Sequence, residues 1–102
     1  MAQFDFYRYK KRGKQELFLV DAQNDLLDNM ETRIVIPLRQ LASNQQPIRV
    51  LQPIVELAGG TFYLSTSEMA AISVQELEQQ LGNLSNMRDE IIGAIDLLFT
   101  GI

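Results

Sequence analysis

The sequence contains neither cysteine nor histidine. Cysteine thiolates and histidine imidazoles are the usual nucleophiles, general bases and zinc ligands, so their absence excludes the common catalytic pairs and zinc sites. No disulfide points to an oxidising compartment. Carboxylates remain, but Asp21, Asp25 and Asp28 lack the spacing, the glycine and the closing glutamate of a calcium loop. The residues therefore give no support for catalysis, a metal site or a cofactor.

Long apolar runs are also missing, because no stretch of about 18 apolar residues is present to span a bilayer. The opening residues, MAQFDFYRYKK, place their charges after the apolar side chains and contain no apolar segment of a secretory signal. There is no phosphate-binding loop, since Gly59-Gly60 lies between two predicted strands rather than before a helix. We expect one cytoplasmic domain spanning residues 1–102 that buries roughly two-thirds of its unfolded surface.

Positive charge is scarce beyond the first fourteen residues. The chain has 9 basic and 13 acidic residues, for a net charge of -4. The basic residues that are clustered near the start, opposed there only by Asp5, are Arg8, Lys10, Lys11, Arg12 and Lys14. A nucleic-acid reader needs a larger basic surface, and the acidic remainder repels phosphate backbones. We expect no sequence-specific nucleic-acid binding, whereas a basic protein surface would be attracted.

Three early segments have the pattern of strands, and the side chains alternate between two faces in the first and the third of them. Residues 3–10 and 16–20 predict a hairpin closed by a polar, glycine-containing turn. The unbroken apolar run of the second strand indicates burial on both faces or a bulge. Residues 32–38 predict a third strand that ends, or lies at an edge, near Pro37. The side chains expected to point inward on this strand are Thr32, Ile34, Ile36 and Leu38.

Later segments predict a second hairpin and a terminal helix. Residues 48–65 form the hairpin, with Gly59-Gly60 supplying positive φ angles, and residues 69–73 add a short strand. Ser73 to Glu76 has the form of a capping box and predicts a helical turn running to Gly82. The last helix, capped by Asn86, has Asp89 and Glu90 in its first turn. Its apolar residues at helical spacing are Met87, Ile91, Ala94, Ile95, Leu98 and Ile102. The order predicts an antiparallel sheet or small barrel with a helix across it.

Two apolar features have both a structural and a functional interpretation. Gly101 can end the helix in a left-handed conformation, which places Ile102 against Leu97 in a Schellman motif; the alternative is an apolar tip that faces a partner. Leu26-Leu27, between Asp25 and Asp28, can pack beneath their own loop or form an exposed patch. Neither feature identifies a partner.

Several segments fall in a familiar order and spacing along the chain. They are QFDFYRYKK from Gln3, LF followed by Asp21, QNDLLD at 23–28, VIPL at 35–38, Pro53 before IVEL, EMA at 68–70 and the ending AIDLLFTGI. Taken together, they resemble the CcdB family, the toxins of the ccd toxin–antitoxin modules. The match runs from about residue 3 to residue 102, with one insertion near Leu19.

The resemblance implies a mainly β fold: a small SH3-like antiparallel barrel with an added small sheet and one C-terminal helix. Family members are cytoplasmic bacterial homodimers and not enzymes. They bind DNA gyrase A, the gyrase component that cuts DNA, and trap the enzyme after cleavage; a CcdA-like antitoxin releases it. Carried over by position, the gyrase-binding residues are Leu26, Leu27, Asp96, Phe99, Thr100, Gly101 and Ile102.

This chain departs from the family pattern near its end. The family usually ends in Trp-Gly-Ile, and here Thr100 stands in the tryptophan place, while Asp96 stands in that of an asparagine. Two alternatives follow. MazF/Kid-like endoribonuclease toxins share the barrel fold, and Arg8, Lys10, Lys11 and Arg12 could supply the cationic RNA groove that such an enzyme needs. A non-toxic relative that only binds an antitoxin is the other.

Overall fold

The structure is a computed structural model that describes residues 2–9, 17–27, 29–57 and 59–101. Within these residues, seven antiparallel strands form a curled half-barrel sheet that carries one C-terminal helix. The strands are β1 Asp5–Tyr9, β2 Leu17–Asp21, β3 Thr32–Gln40, β4 Ile54–Leu57, β5 Gly60–Leu64, β6 Ala70–Ser73 and β7 Gln80–Asn83, and the helix is α1 Arg88–Thr100. Short 3-10 turns span Asp25–Leu27, Thr66–Glu68, Val74–Glu76 and Ser85–Met87. The predicted fold class is confirmed.

Strand β3 organises the sheet because it is long enough to serve three neighbours. The sheet order is β4-β5-β3-β2-β1-β7, and β6 pairs with β3 beside this path. Along one edge, β3 pairs first with β6 over Thr32–Val35 and then with β5 over Leu38–Gln40. Pro37 lies where the partner changes, and its carbonyl accepts the Ser65 N–H at 2.9 Å. The expectation that Pro37 marks an end or edge is therefore wrong. Pro37 is tolerated inside the strand because its missing N–H falls between the β6 and β5 pairings, where no ladder hydrogen bond is needed.

The two faces of the central strands are both buried. Phe6, Val20 and Ile36 lie opposite one another on β1, β2 and β3 and join the main core. Their neighbours Tyr7 and Leu19 face the other way, into a smaller cluster with Val35 and Leu77. The apolar run of the second strand thus reflects burial on both faces, the first of the two predicted explanations. Burial, with help from nearby Asp5 and Asp21, raises the pKa of Tyr7 to about 12.

The predicted inward face of β3 is only half right. Ile36 and Leu38 are buried, whereas Thr32 and Ile34 are exposed. Arg33 is fully buried between them. The first half of β3 therefore turns a charged side chain, rather than an apolar one, toward the interior.

The helical turn predicted from Ser73 is shorter than expected. The Ser73 hydroxyl accepts the Gln75 N–H, but the turn ends at Glu76, and β7 follows where the turn was expected to continue. On β7, Gly82 lies opposite Phe6 of β1. A Cβ at Gly82 would lie 2.7 Å from the Phe6 ring, so only glycine fits there without displacing the core.

Helix α1 packs one face against the main core. Ile91 and Ala94 are fully buried, in line with the predicted apolar stripe. Asn86 does not cap the helix, because it lies inside the 3-10 turn Ser85–Met87 that precedes Arg88. The Asn83 side chain accepts the Ser85 N–H at 2.7 Å, at the first residue of that turn.

An ion pair fixes β3 to the turn on which α1 rests. The Arg39 guanidinium donates from Nε and Nη2 to the two Glu68 oxygens at 2.6 and 2.8 Å, and the Ser65 hydroxyl also donates to Glu68. These donors lower the pKa of Glu68 to about 2. Glu68 belongs to the turn Thr66–Glu68, which contacts α1.

Glu68→Gln is expected to lower the free energy of unfolding at pH 7 by about 0.5–1 kcal/mol, since the pair is partly exposed and screened. The folded-state pKa lies below the ordinary 4.5. The wild-type advantage is therefore full above pH 4.5 and is lost as the pH falls through about 2. Urea unfolding at pH 7 and pH 2 measures it. The control is Glu76→Gln, which changes a carboxylate that has no ion pair to another described residue and should be as stable as wild type at both pH values. Equal stability of wild type and Glu68→Gln at pH 7 would contradict a stabilising role for the Arg39–Glu68 pair.

Candidate functional site

The turn after β2 presents two leucines to solvent. Leu26 is 89% exposed and Leu27 is 48% exposed on the 3-10 turn Asp25–Leu27. The interpretation that they pack beneath their own loop is therefore wrong for Leu26. The alternative raised by the sequence, an exposed apolar patch, describes the turn better.

Polar neighbours hold this turn in shape. The Asn24 side-chain oxygen accepts the Leu26 N–H at 2.8 Å, and the Asn24 carbonyl accepts the Leu27 N–H at 3.0 Å. The Asp25 carboxylate accepts the Gln3 N–H at 2.6 Å, which links the turn to the N-terminal segment. An Asn side chain can replace a backbone partner in a tight turn. Asn24 and Asp25, directly before the two leucines, therefore favour the turn at this point of the chain.

The end of α1 presents a second apolar group. Phe99 is 69% exposed, and Asp96, Thr100 and Gly101 are exposed beside it. Gly101 adopts φ 76°, the left-handed conformation predicted for it, and its N–H donates to the Leu97 carbonyl at 3.0 Å. The Thr100 hydroxyl donates to the Asp96 carbonyl at 2.7 Å. Ile102, and with it the predicted contact on Leu97, lies outside the described residues.

The turn and the helix end are separate patches on the chain. No hydrogen bond or ion pair among the described residues joins Leu26–Leu27 to Phe99–Gly101. Gln3 connects the turn to the other end of the helix, because its side-chain oxygen accepts from Arg88 at 3.4 Å. From Arg88 the helix rises about 18 Å to Thr100. A surface that includes both patches therefore needs either a partner that spans them or a second copy of the chain.

A family comparison decides the class of protein. The family model described as "CcdB protein" matches residues 3–101 of the chain. The chain belongs to the CcdB family. Membership makes it a toxin of a toxin–antitoxin module. The resemblance predicted from the sequence is thus confirmed over nearly the whole chain.

A solved structure shares the fold of this CcdB-family chain. It is described as an endoribonuclease in complex with its cognate antitoxin from mycobacterial species. The TM-score is 0.76 at 11% sequence identity, and the match covers 94% of this chain and 91% of that one. At this identity the likeness concerns the fold.

Among the described residues, no group of three or more Asp and Glu side chains is placed to hold a metal ion. None of the helices in the described part of the chain has the length and apolar character to cross a bilayer. Of the basic residues proposed for an RNA groove, Arg8 lies on β1, while Lys10, Lys11 and Arg12 fall outside the described ranges.

A third exposed apolar region was not predicted. Ile48, Val50 and Ile54 are 58%, 61% and 48% exposed. Val50 and Ile54 line a groove of about 410 Å³ beside the first turns of α1. Val50 adopts φ 69°, a left-handed conformation that is strained for a β-branched residue. These residues provide matched apolar controls outside the two patches of the candidate site.

Proposed function

We propose that this chain is a toxin that binds DNA gyrase A and traps the gyrase–DNA cleavage complex, which blocks replication and transcription. CcdB-family membership over residues 3–101 carries the proposal. The exposure of Leu26 and Phe99, on a bonded turn and at a capped helix end, supports it. The contact residues are Leu26, Leu27, Asp96, Phe99, Thr100, Gly101 and Ile102.

Binding alone accounts for the proposed activity. A large apolar side chain held on a rigid element loses little conformational freedom when it docks. Most of the free energy gained by burying it therefore contributes to affinity. A homodimer would present both patches twice about a two-fold axis, which suits a two-fold symmetric partner such as a dimer of gyrase A. A CcdA-like antitoxin is the proposed neutralising partner, in keeping with the solved fold relative that is bound to its own antitoxin.

Thr100 and Asp96 set the character of this surface. A tryptophan stacked on an arginine of the partner would contribute about 0.5–2 kcal/mol that threonine cannot supply. The Thr100 hydroxyl is already engaged by the Asp96 carbonyl, while the exposed Asp96 carboxylate is available to a basic group. We propose that this chain binds gyrase more weakly than a relative with tryptophan at this position, and that the charge of Asp96 contributes a larger share of the binding free energy.

A cleavage assay tests the proposal. Purified full-length protein is incubated with gyrase, ATP and supercoiled plasmid, and linear DNA is counted after denaturation. The full chain should raise the linear fraction, whereas a variant lacking Thr100 to Ile102 should stay folded and inactive. No stabilised cleavage and no inhibition of supercoiling would remove gyrase as the target. A truncated variant that remains active would show that the contact patch is wrongly placed.

The endoribonuclease alternative is favoured by one observation, the fold shared with an endoribonuclease. Incubation of the same protein with messenger RNA separates the two functions. RNA cleavage without any effect on gyrase would establish the alternative. A protein inactive in both assays that still binds an antitoxin would be the non-toxic relative.

A further inference from the structure

A buried ion pair lies at the base of the Leu26–Leu27 turn. Arg33 of β3 donates from Nε to Asp21 of β2 at 2.9 Å, and its Nη2 lies 2.7 Å from the same carboxylate. Both side chains are 0% exposed. Removing two charges from water is costly, and apolar side chains would fill the same volume at least as well. The pair therefore calls for an explanation other than stability.

Both members of the pair also bond to the backbone of Gln23. The second Asp21 oxygen accepts the Gln23 N–H at 3.0 Å, and Arg33 Nη2 donates to the Gln23 carbonyl at 3.1 Å. The same nitrogen lies 4.0 Å from the carboxylate of Asp25, the first residue of the turn. An apolar pair could not hold these groups, because it has no donor or acceptor to offer.

The Gln23 side chain extends this support to the turn. Its Nε2 donates to the Leu27 carbonyl at 3.2 Å, and its Oε1 accepts the Ile34 N–H at 3.0 Å. The Gln23 side-chain amide therefore links the turn, at Leu27, to the first half of β3, at Ile34. Gln23 is only 7% exposed, so it contributes almost nothing to a binding surface. Leu26, which directly precedes Leu27 on the same turn, is almost fully exposed.

We infer that Gln23, clasped by the Arg33–Asp21 pair, is a positioning residue that fixes the Leu26–Leu27 turn in the orientation in which its leucines bind the partner. The inference rests on the proposed function. A three-residue 3-10 turn has poor hydrogen-bond geometry by itself and needs outside support to stay ordered. The ion pair supplies a support that does not compete for the partner, because it lies wholly inside the protein.

Substitution at Gln23 tests the inference, since removing Arg33 would strand the Asp21 carboxylate in the core. Gln23→Glu keeps an acceptor for the Ile34 N–H but replaces the donor to the Leu27 carbonyl. Gln23→Met removes the side-chain bonds without adding charge. Gln52→Glu is the control, because the Gln52 side chain accepts the Ile48 N–H, at 2.7 Å, and keeps that ability as glutamate. Leu27→Ala deletes a proposed contact but leaves Gln23 in place.

The readouts are NMR order parameters of backbone amides and affinity for a fragment of gyrase A. In wild type and Gln52→Glu, we expect order parameters of about 0.85 at Leu26 and Leu27. In both Gln23 variants, these should fall below about 0.6 while α1 is unchanged, and affinity should fall about tenfold. Leu27→Ala should lose affinity while Leu26 stays ordered. This outcome distinguishes the loss of a contact side chain from the loss of the support that positions the turn.

Two results would overturn the inference, and they differ from failure of the proposed function. Wild-type order at Leu26 and Leu27 in both Gln23 variants would show that Gln23 does not hold the turn. A disordered turn with unchanged gyrase affinity would show that the orientation is irrelevant to binding. If wild type itself does not bind gyrase, the proposed function fails, and the role of Gln23 in gyrase binding fails with it.

Discussion

Replacing Phe99 by alanine is expected to weaken binding to gyrase A by about 30- to 1000-fold, corresponding to about 2–4 kcal/mol. A large aromatic side chain that is exposed when free and buried on binding is the usual centre of an interface. Phe99 is 69% exposed at the end of α1 and is presented by a capped helix terminus, so little ordering opposes its docking. Titration of labelled protein with a gyrase A fragment measures the loss, and growth inhibition should disappear in parallel.

The matched control for Phe99 is Ile48→Ala. Ile48 is a similarly exposed apolar residue, 58% exposed, but it lies outside both proposed patches. Both substitutions remove side chains that contribute little to the core, so the stability of each variant should stay within about 0.5 kcal/mol of wild type. Full toxicity of Phe99→Ala, or an equal loss in Ile48→Ala, would place the contact surface elsewhere.

Replacing Arg33 by methionine is expected to lower the free energy of unfolding by about 3–5 kcal/mol at pH 7, because the Asp21 carboxylate then has no counterion in the core. Burial already raises the pKa of Asp21, and Arg33 beside it opposes that rise. Without Arg33, the pKa should rise further, so the carboxyl is more easily protonated. The deficit should therefore shrink as the pH is lowered from 7 toward 4. Urea denaturation across this range measures it.

A double variant separates the cost of a lone charge from the value of the pair. Asn at position 21 can still accept the Gln23 N–H but carries no charge. Asp21→Asn combined with Arg33→Met should thus recover about 1–3 kcal/mol relative to Arg33→Met alone. A double variant no more stable than Arg33→Met would mean that lost packing, rather than an uncompensated carboxylate, causes the defect.

The sequence pattern predicted the elements that are specified by residues close together in the sequence. Helix α1 could be predicted because its apolar residues recur at helical spacing, and Gly101 supplied the left-handed residue that ends it. The hairpin of β4 and β5 followed from Gly59-Gly60. The cap was misplaced at Asn86 because a 3-10 turn leads directly into the helix, whose N-cap position is Met87 and has no side-chain cap.

Features that depend on distant partners escaped prediction. A two-residue alternation places Arg33 outward, since nothing near it reveals that Asp21 lies on the neighbouring strand. Strand β7, with the sequence QLGN, has no alternation and exists because it pairs with β1. The candidate contact residues came from the family resemblance, and their exposure could not be derived from spacing. Gln23 gave no local signal, because its role depends on a buried pair formed by two other strands.

The pairing of β1 with β7 has a consequence for biosynthesis. Asp5 lies opposite Asn83, so the first strand gains its second neighbour only after residues 80–83 have left the ribosome. Closing so large a loop slows folding and leaves one edge of the nascent sheet bare in the meantime. Helix α1 is translated later still. Until β7 and α1 have emerged, a growing chain therefore lacks both the second neighbour of β1 and the helix end that presents Phe99.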